Sequence, residues 1–243
     1  MNIFQIELMK MKRQRMWIIV LIAPALGCLL GSFNYLTSLD ILSGKGNQWY
    51  QLWNQVTFFY GLFLYPILSG ILAVFLCRVE HITGGWKQSF TLPVKNNSIF
   101  ISKFILLMLL LAATQVTLFL FFVIIGNVVI SDSMNLSFFI KAIFNGWITI
   151  LPVAIFQLIL AIKIKGFMFS LSVNIIFTLS SLAMMIMNVE QYYPFVLPSL
   201  VMAPPTETIF MYSWTYLYGF VCILSLILFI FGNKMINNSE KII

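Results

Sequence analysis

The chain has 243 residues, of which 61% are hydrophobic and 9% charged, with a formal net charge of +7. A soluble domain is nearer 45–50% apolar and about 25% charged, so a water-soluble globule, a disordered chain and a nucleic-acid-binding domain are excluded. The mean hydropathy of +0.99 assigns the basic residues to the edges of a bilayer instead.

In chain order, residues 2–15 come first. Phe4, Leu8 and Met11 recur at helical spacing, with Glu7, Lys10 and Gln14 on a neighbouring face. This suits a helix lying in the membrane interface; a basic flank that only fixes topology is the alternative. No small-residue cleavage site follows the first apolar run, so that run is expected to stay in the mature protein. Apolar segments stand at 16–35, 58–77, 104–130, 145–162, 167–188 and 214–232. Each is close to the roughly 20 residues that span a bilayer. Only residues 163–166 part the fourth from the fifth, but merging these two would give a run too long for one crossing. The expectation is one all-α, polytopic membrane domain over 1–243 with six transmembrane helices. Pro24, Pro66 and Pro152 lie in the apolar stretches, where neighbouring helices must satisfy the carbonyls they free; a gating role for them stays open.

The polar pieces set the topology. Twelve basic residues fall on one side, among them Lys10, Lys12, Arg13, Arg15, Arg78, Lys87, Lys95, Lys103, Lys163 and Lys165, against Lys45 and Lys141 on the other. By the positive-inside rule both termini are cytoplasmic. The outer pieces carry Asp40, Asp132, Glu190 and Glu207. The piece at 189–213 holds Pro194, Pro198, Pro204 and Pro205 among Tyr192, Tyr193 and Phe195. It is too apolar for a solvated loop and too broken for a span, which predicts a re-entrant hairpin on the outer face.

Enzymatic motifs are missing. There is no G-x-x-x-x-G-K-[ST] for ATP and no H-E-x-x-H, and His81 is the sole histidine, so neither a P-loop nor a zinc protease is encoded. Cys28, Cys77 and Cys222 are far apart in apolar runs and form no C-x-x-C; they read as small buried residues. Thr114, Gln115, Thr117, Gln157, Asn174, Thr178, Ser180 and Ser181 fall inside spans. Such groups either hydrogen-bond across the bundle or line a polar path.

The second cytoplasmic piece, 78–103, is the longest inner one. It mixes Glu80, His81, a Gly84-Gly85 break, Trp86, Lys87 and Phe90. Exposed aromatics beside basic residues suit a protein-docking surface; binding in the headgroup zone is the alternative.

Glu80, Gly84, Leu92-Pro93, Lys95 and Lys103 follow, in order, a pattern that resembles the loop after the second span of ABC-2 transporter permeases, the type 2 ABC exporters. The sequence has Gly85 where the family often has Thr, and Lys95 where it often has Arg. Within that family the chain looks most like the small permeases of lantibiotic or bacteriocin self-protection and of phenol-soluble modulin export. Its compact size, the Glu7/Lys10/Arg13 head and the Trp86-Lys87 and Pro93-Val94-Lys95 elements carry that likeness. The resemblance implies a non-catalytic subunit in a bacterial plasma membrane, paired with a second copy or a related permease. A cytoplasmic P-loop ATPase would dock on Glu80, His81, Gly84, Trp86, Lys87 and Phe90, and Glu7, Lys10 and Arg13 would clasp it. ATP and Mg would be held by that ATPase, and this chain is expected to bind no cofactor or metal. The substrate would be an amphipathic, often cationic, peptide; export of a lipid, polysaccharide or drug, or a non-transporting membrane anchor or assembly protein, is the alternative.

Overall fold

The computed structural model describes residues 3–13, 16–42, 46–84, 96–130, 132–204 and 214–239. Among them the regular structure is helical. The helices are α1 (Ile3–Arg13), α2 (Met16–Thr37), α3 (Leu39–Leu42), α4 (Gln48–Phe59), α5 (Tyr65–Thr83), α6 (Asn96–Val129), α7 (Leu136–Thr149), α8 (Leu151–Lys163), α9 (Phe167–Ile186), α10 (Leu197–Met202) and α11 (Trp214–Ser239). Six of the resulting stretches are long and apolar enough to cross a membrane: Met16–Thr37, Gln48–Thr83, Asn97–Val129, Leu136–Lys163, Phe167–Ile186 and Trp214–Ile236. The expected six-span, all-α class is therefore observed.

The boundaries differ from the sequence expectation for a physical reason. The second, third and fourth spans begin about 10 residues before the apolar runs, in Gln48-Trp49-Tyr50, Asn96-Asn97-Ser98 and Leu136-Ser137. A helix continues into the interface wherever its polar end can be solvated, whereas hydropathy marks only its lipid-immersed length. Residues 78–83 and 96–103, assigned from sequence to a loop, are the ends of α5 and α6. Of the predicted outer hairpin, the described part is a 3₁₀ turn at Glu190–Tyr192 and the short α10; residues 205–213 lie outside the described residues.

The proline sites are handled one by one. Pro24 sits inside α2 and removes the donor for the Val20 carbonyl four residues back. Thr117 of α6 donates to that oxygen at 3.3 Å. Pro66 follows a π-turn, Tyr60–Leu64, which carries α4 into α5 without a break. Pro152 lies in the first turn of α8, where its missing N–H costs nothing.

Helix α2 packs on α4 and α6, α5 on α8 and α9, and α8 on α11. The α2–α4 contact is backbone-close. A Cβ on Gly31 would stand 2.6 Å from Val56 Cα, and one on Gly27 would stand 2.8 Å from Tyr60 Cβ. The two glycines are four residues apart, the small-residue spacing that lets spanning helices approach. In the first half of α4, Trp53 is fully buried against the rings of Phe122 and Phe139, at 4.7 and 5.3 Å. Its indole N–H donates to the Met202 carbonyl at 2.6 Å, pinning α10 to this end of the bundle.

Candidate functional site

The opposite end is organised by charge. Four ionisable side chains from three helices meet there: Glu7 and Lys10 of α1, Glu80 of α5 and Lys103 of α6. Glu7 and Lys10 are three residues apart, so they share one helix face and pair at 2.7 Å. Glu80 lies one turn before the end of α5, and Lys103 lies two turns into α6. Lys103 is 0% exposed and spends its ammonium on three acceptors: Glu7 Oε2 at 2.7 Å, Glu80 Oε1 at 2.8 Å and the Leu76 carbonyl at 2.7 Å. Lys10 donates to Glu7 Oε1 at 2.7 Å and Glu80 Oε1 at 2.8 Å.

The cluster is thus two carboxylates and two ammonium groups. Burial of one charge costs several kcal/mol, and pairing all four cancels the net charge. Burial alone would lower the pKa of Lys10. Hydrogen bonds and attraction from Glu7 and Glu80 outweigh it and hold the Lys10 pKa above its ordinary value. Since that pKa is raised on folding, the Lys10 contribution is complete below the unfolded value of about 10.4. It is lost only as pH rises through the folded value, so the cluster keeps this cation throughout the neutral range.

His81 serves a different joint. Its Nε2 lies 2.7 Å from the Ala161 carbonyl; a carbonyl only accepts, so Nε2 carries the proton. That bond ties the end of α5 to the last turn of α8.

Gly84 ends α5 in the left-handed region at φ 66°, ψ 17°. A Cβ there would meet nothing within 4 Å, so the position asks for glycine by conformation alone. Gly84→Ala is expected to lower stability by about 1 kcal/mol, and Gly84→Asn by less, since Asn tolerates this region. Thermal unfolding of the two variants side by side checks the order.

Glu7, Lys10 and Glu80 were expected from the sequence to face an ATPase. In this chain Glu7 and Glu80 turn inward, 4% and 2% exposed, and bind each other through lysines. Lys10 joins them. Trp86, Lys87 and Phe90, with Leu92, Pro93 and Lys95, lie outside the described residues, as does the Arg13 side chain. Lys103 entered the sequence reading as one of the basic residues that set the topology and as the distal lysine of a motif, without a place in the site. Its signal was a cation at the mouth of an apolar run, a position that needs an acidic partner.

The cluster also fixes the geometry around it. Glu80 stands five residues before the segment 85–95, and Lys103 eight residues after it. Their contact closes the base of that connection, and α1 is bound to the same base.

A family model described as "ABC-2 family transporter protein" matches residues 3–181. That stretch runs from α1 into α9 and includes all four charged residues. The chain belongs to the ABC-2 transporter family. It is a multi-pass membrane permease subunit of an ABC transporter, a family in which the ATPase is a separate partner. No curated protein and no solved structure matches it.

Proposed function

We propose that the chain is the permease of an ATP-driven exporter of amphipathic, antimicrobial-type peptides in a bacterial plasma membrane, working as a pair of permease chains. Its charged end faces the cytoplasm, and the segment 85–95 is the element on which the ATPase docks. The observation that carries the docking assignment is the closed base of that segment. A push on 85–95 reaches α5 through Glu80 and α6 through Lys103 together, and α1 follows through Glu7 and Lys10. Three elements then move as one body, which a loop hung from two independent helices would not achieve. Trp86, Lys87 and Phe90 supply the aromatic and basic groups of the docking surface, and Arg13 adds a contact from the α1 side. The peptide assignment rests on the resemblance to lantibiotic-type permeases and on the outer acids Asp132 and Glu190, which suit release of a cationic cargo.

The test is the purified permease–ATPase complex in lipid nanodiscs. A cationic amphipathic helical peptide of Lys/Leu repeats is expected to stimulate ATP hydrolysis, while uncharged peptide and added phospholipid are not. Stimulation by phospholipid alone would replace the peptide reading with lipid export. Glu80→Gln is expected to leave basal hydrolysis intact and abolish the peptide response. Loss of both together would mean that Glu80 only holds the fold.

A further inference from the structure

Helix α9 is inverted relative to an ordinary core helix. Its buried side chains are Ser170, Asn174, Thr178 and Ser181, whereas Met168, Ile176 and Ile186 are 80%, 66% and 81% exposed. The polar stripe faces α5, where Asn174 Nδ2 donates to the Pro66 carbonyl at 3.1 Å. Gly70 makes room for it, since a Cβ there would stand 2.7 Å from Asn174 Cγ. Thr178 completes a local bond to the Asn174 carbonyl at 2.9 Å.

Two groups of this seam are not completed. Gln157 of α8 is 0% exposed, and neither its Nε2 nor its Oε1 has a hydrogen-bond partner among the described residues. Ser170 Oγ, in a residue 1% exposed, is in the same state. Both side chains belong to the charged end. The Phe75–Phe167 ring contact of 5.8 Å sets the start of α9 against α5, with Ser170 one turn further on. The His81–Ala161 bond sets the end of α8 against α5, with Gln157 one turn before. Helices α5, α8 and α9 pack on one another pairwise. At 1.5 Å per residue, Ser170 lies about 6 Å from Gly166 and Gln157 about 9 Å from Lys163. The connection at 164–166 that joins α8 to α9 there is largely exposed.

An orphaned primary amide away from water carries a full desolvation cost with no bond to offset it. It offers two donors and an acceptor, and a buried water typically makes about three hydrogen bonds to groups of this kind. Lys163 and Lys165, exposed where α8 ends and in the connection, disfavour a cation there, and the buried cluster of Glu7, Lys10, Glu80 and Lys103 has no net charge, so water is the occupant that suits the amide. We propose that Gln157 and Ser170 form the floor of a hydration crevice where α5, α8 and α9 meet, entered by water from the charged end beneath residues 164–166. A wet seam also lets α9 part from α5 and α8 without exposing dry dipoles to lipid.

Thiol accessibility tests this without ATPase or cargo, so its outcome stands apart from the transport reading. Cys28, Cys77 and Cys222 are the free cysteines and are first replaced by serine. In nanodiscs, Ser170→Cys is then expected to react with a small charged methanethiosulfonate about tenfold faster than Leu158→Cys, because only a hydrated thiol ionises. Leu158 is the fully buried apolar neighbour of Gln157 and serves as the dry reference. Adding Gln157→Met, which keeps the volume and removes the amide, is expected to slow the Ser170→Cys reaction towards that reference. Should Ser170→Cys fail to accumulate, Gln157→Cys supplies the same comparison. A rate no faster than that of Leu158→Cys overturns the crevice, and a rate indifferent to Gln157→Met removes the amide from it.

Discussion

Lys103→Met is expected to be the most damaging single change at the charged end. It removes the cation that Glu7 and Glu80 share at 2.7 and 2.8 Å and leaves two buried carboxylates with Lys10 alone. Breaking a buried pair from one side costs about 3–5 kcal/mol, a fall in Tm on the order of 10 °C for a chain of this size. Lys10→Met should cost much less, because the Lys10 side chain is 30% exposed and water replaces part of what is lost. Combining Lys103→Met with Glu80→Gln restores neutrality and is expected to recover more than half of the loss. The double-mutant cycle isolates the pair term. Equal costs for Lys103→Met and Lys10→Met would sink the account of a shared central cation.

The second large effect is expected where α2 meets α4. Gly31→Ala adds a single methyl group 2.6 Å from Val56 Cα and 2.7 Å from Val56 N. Those are backbone atoms, so no rotamer change relieves the overlap and the helices must separate. Overpacking of this kind costs about 1–3 kcal/mol. Gly219→Ala is the matched control. Nothing lies within 4 Å of a Cβ at Gly219, and a helical Gly→Ala change favours the helix by about 0.5–1 kcal/mol. The two substitutions should therefore move Tm in opposite directions in detergent. Adding Val56→Ala to Gly31→Ala should restore stability only in part, since it removes Val56 Cγ2 but not the Cα and N. Full rescue would show that the approach is limited by side chains rather than by backbone.

The spans were legible because lipid demands long apolar helices, and nothing else in the chain imitates that pattern. The polar helix ends were not, since Asn96 and Gln48 read alike whether they extend a helix or a loop. The facing of Glu7 and Lys10 on one side of α1 was visible as an i, i+3 spacing. Their partners were not, because pairing Glu7 with Lys103 joins residues 96 positions apart, and no local periodicity encodes that. The duty of Thr117 towards the carbonyl freed by Pro24 followed in kind from the proline, though not in identity. Asn174 and Thr178 were recognised as groups that bond between helices or line a path. That they form the buried face of a helix with an apolar exterior required the neighbouring α5. The inversion of α9 is a property of packing rather than of composition.

The balance of the charged cluster bears on how the chain is made. Up to residue 102 a growing polypeptide holds Glu7, Glu80 and Lys10 of this set, two acids and one base. The missing positive charge arrives only with Lys103, at the threshold of the third crossing. The second crossing thus ends in a carboxylate whose balancing cation is carried by the third. The first two crossings cannot neutralise their shared end by themselves, and the charge balance of the bundle closes only when α1, α5 and α6 are all in place.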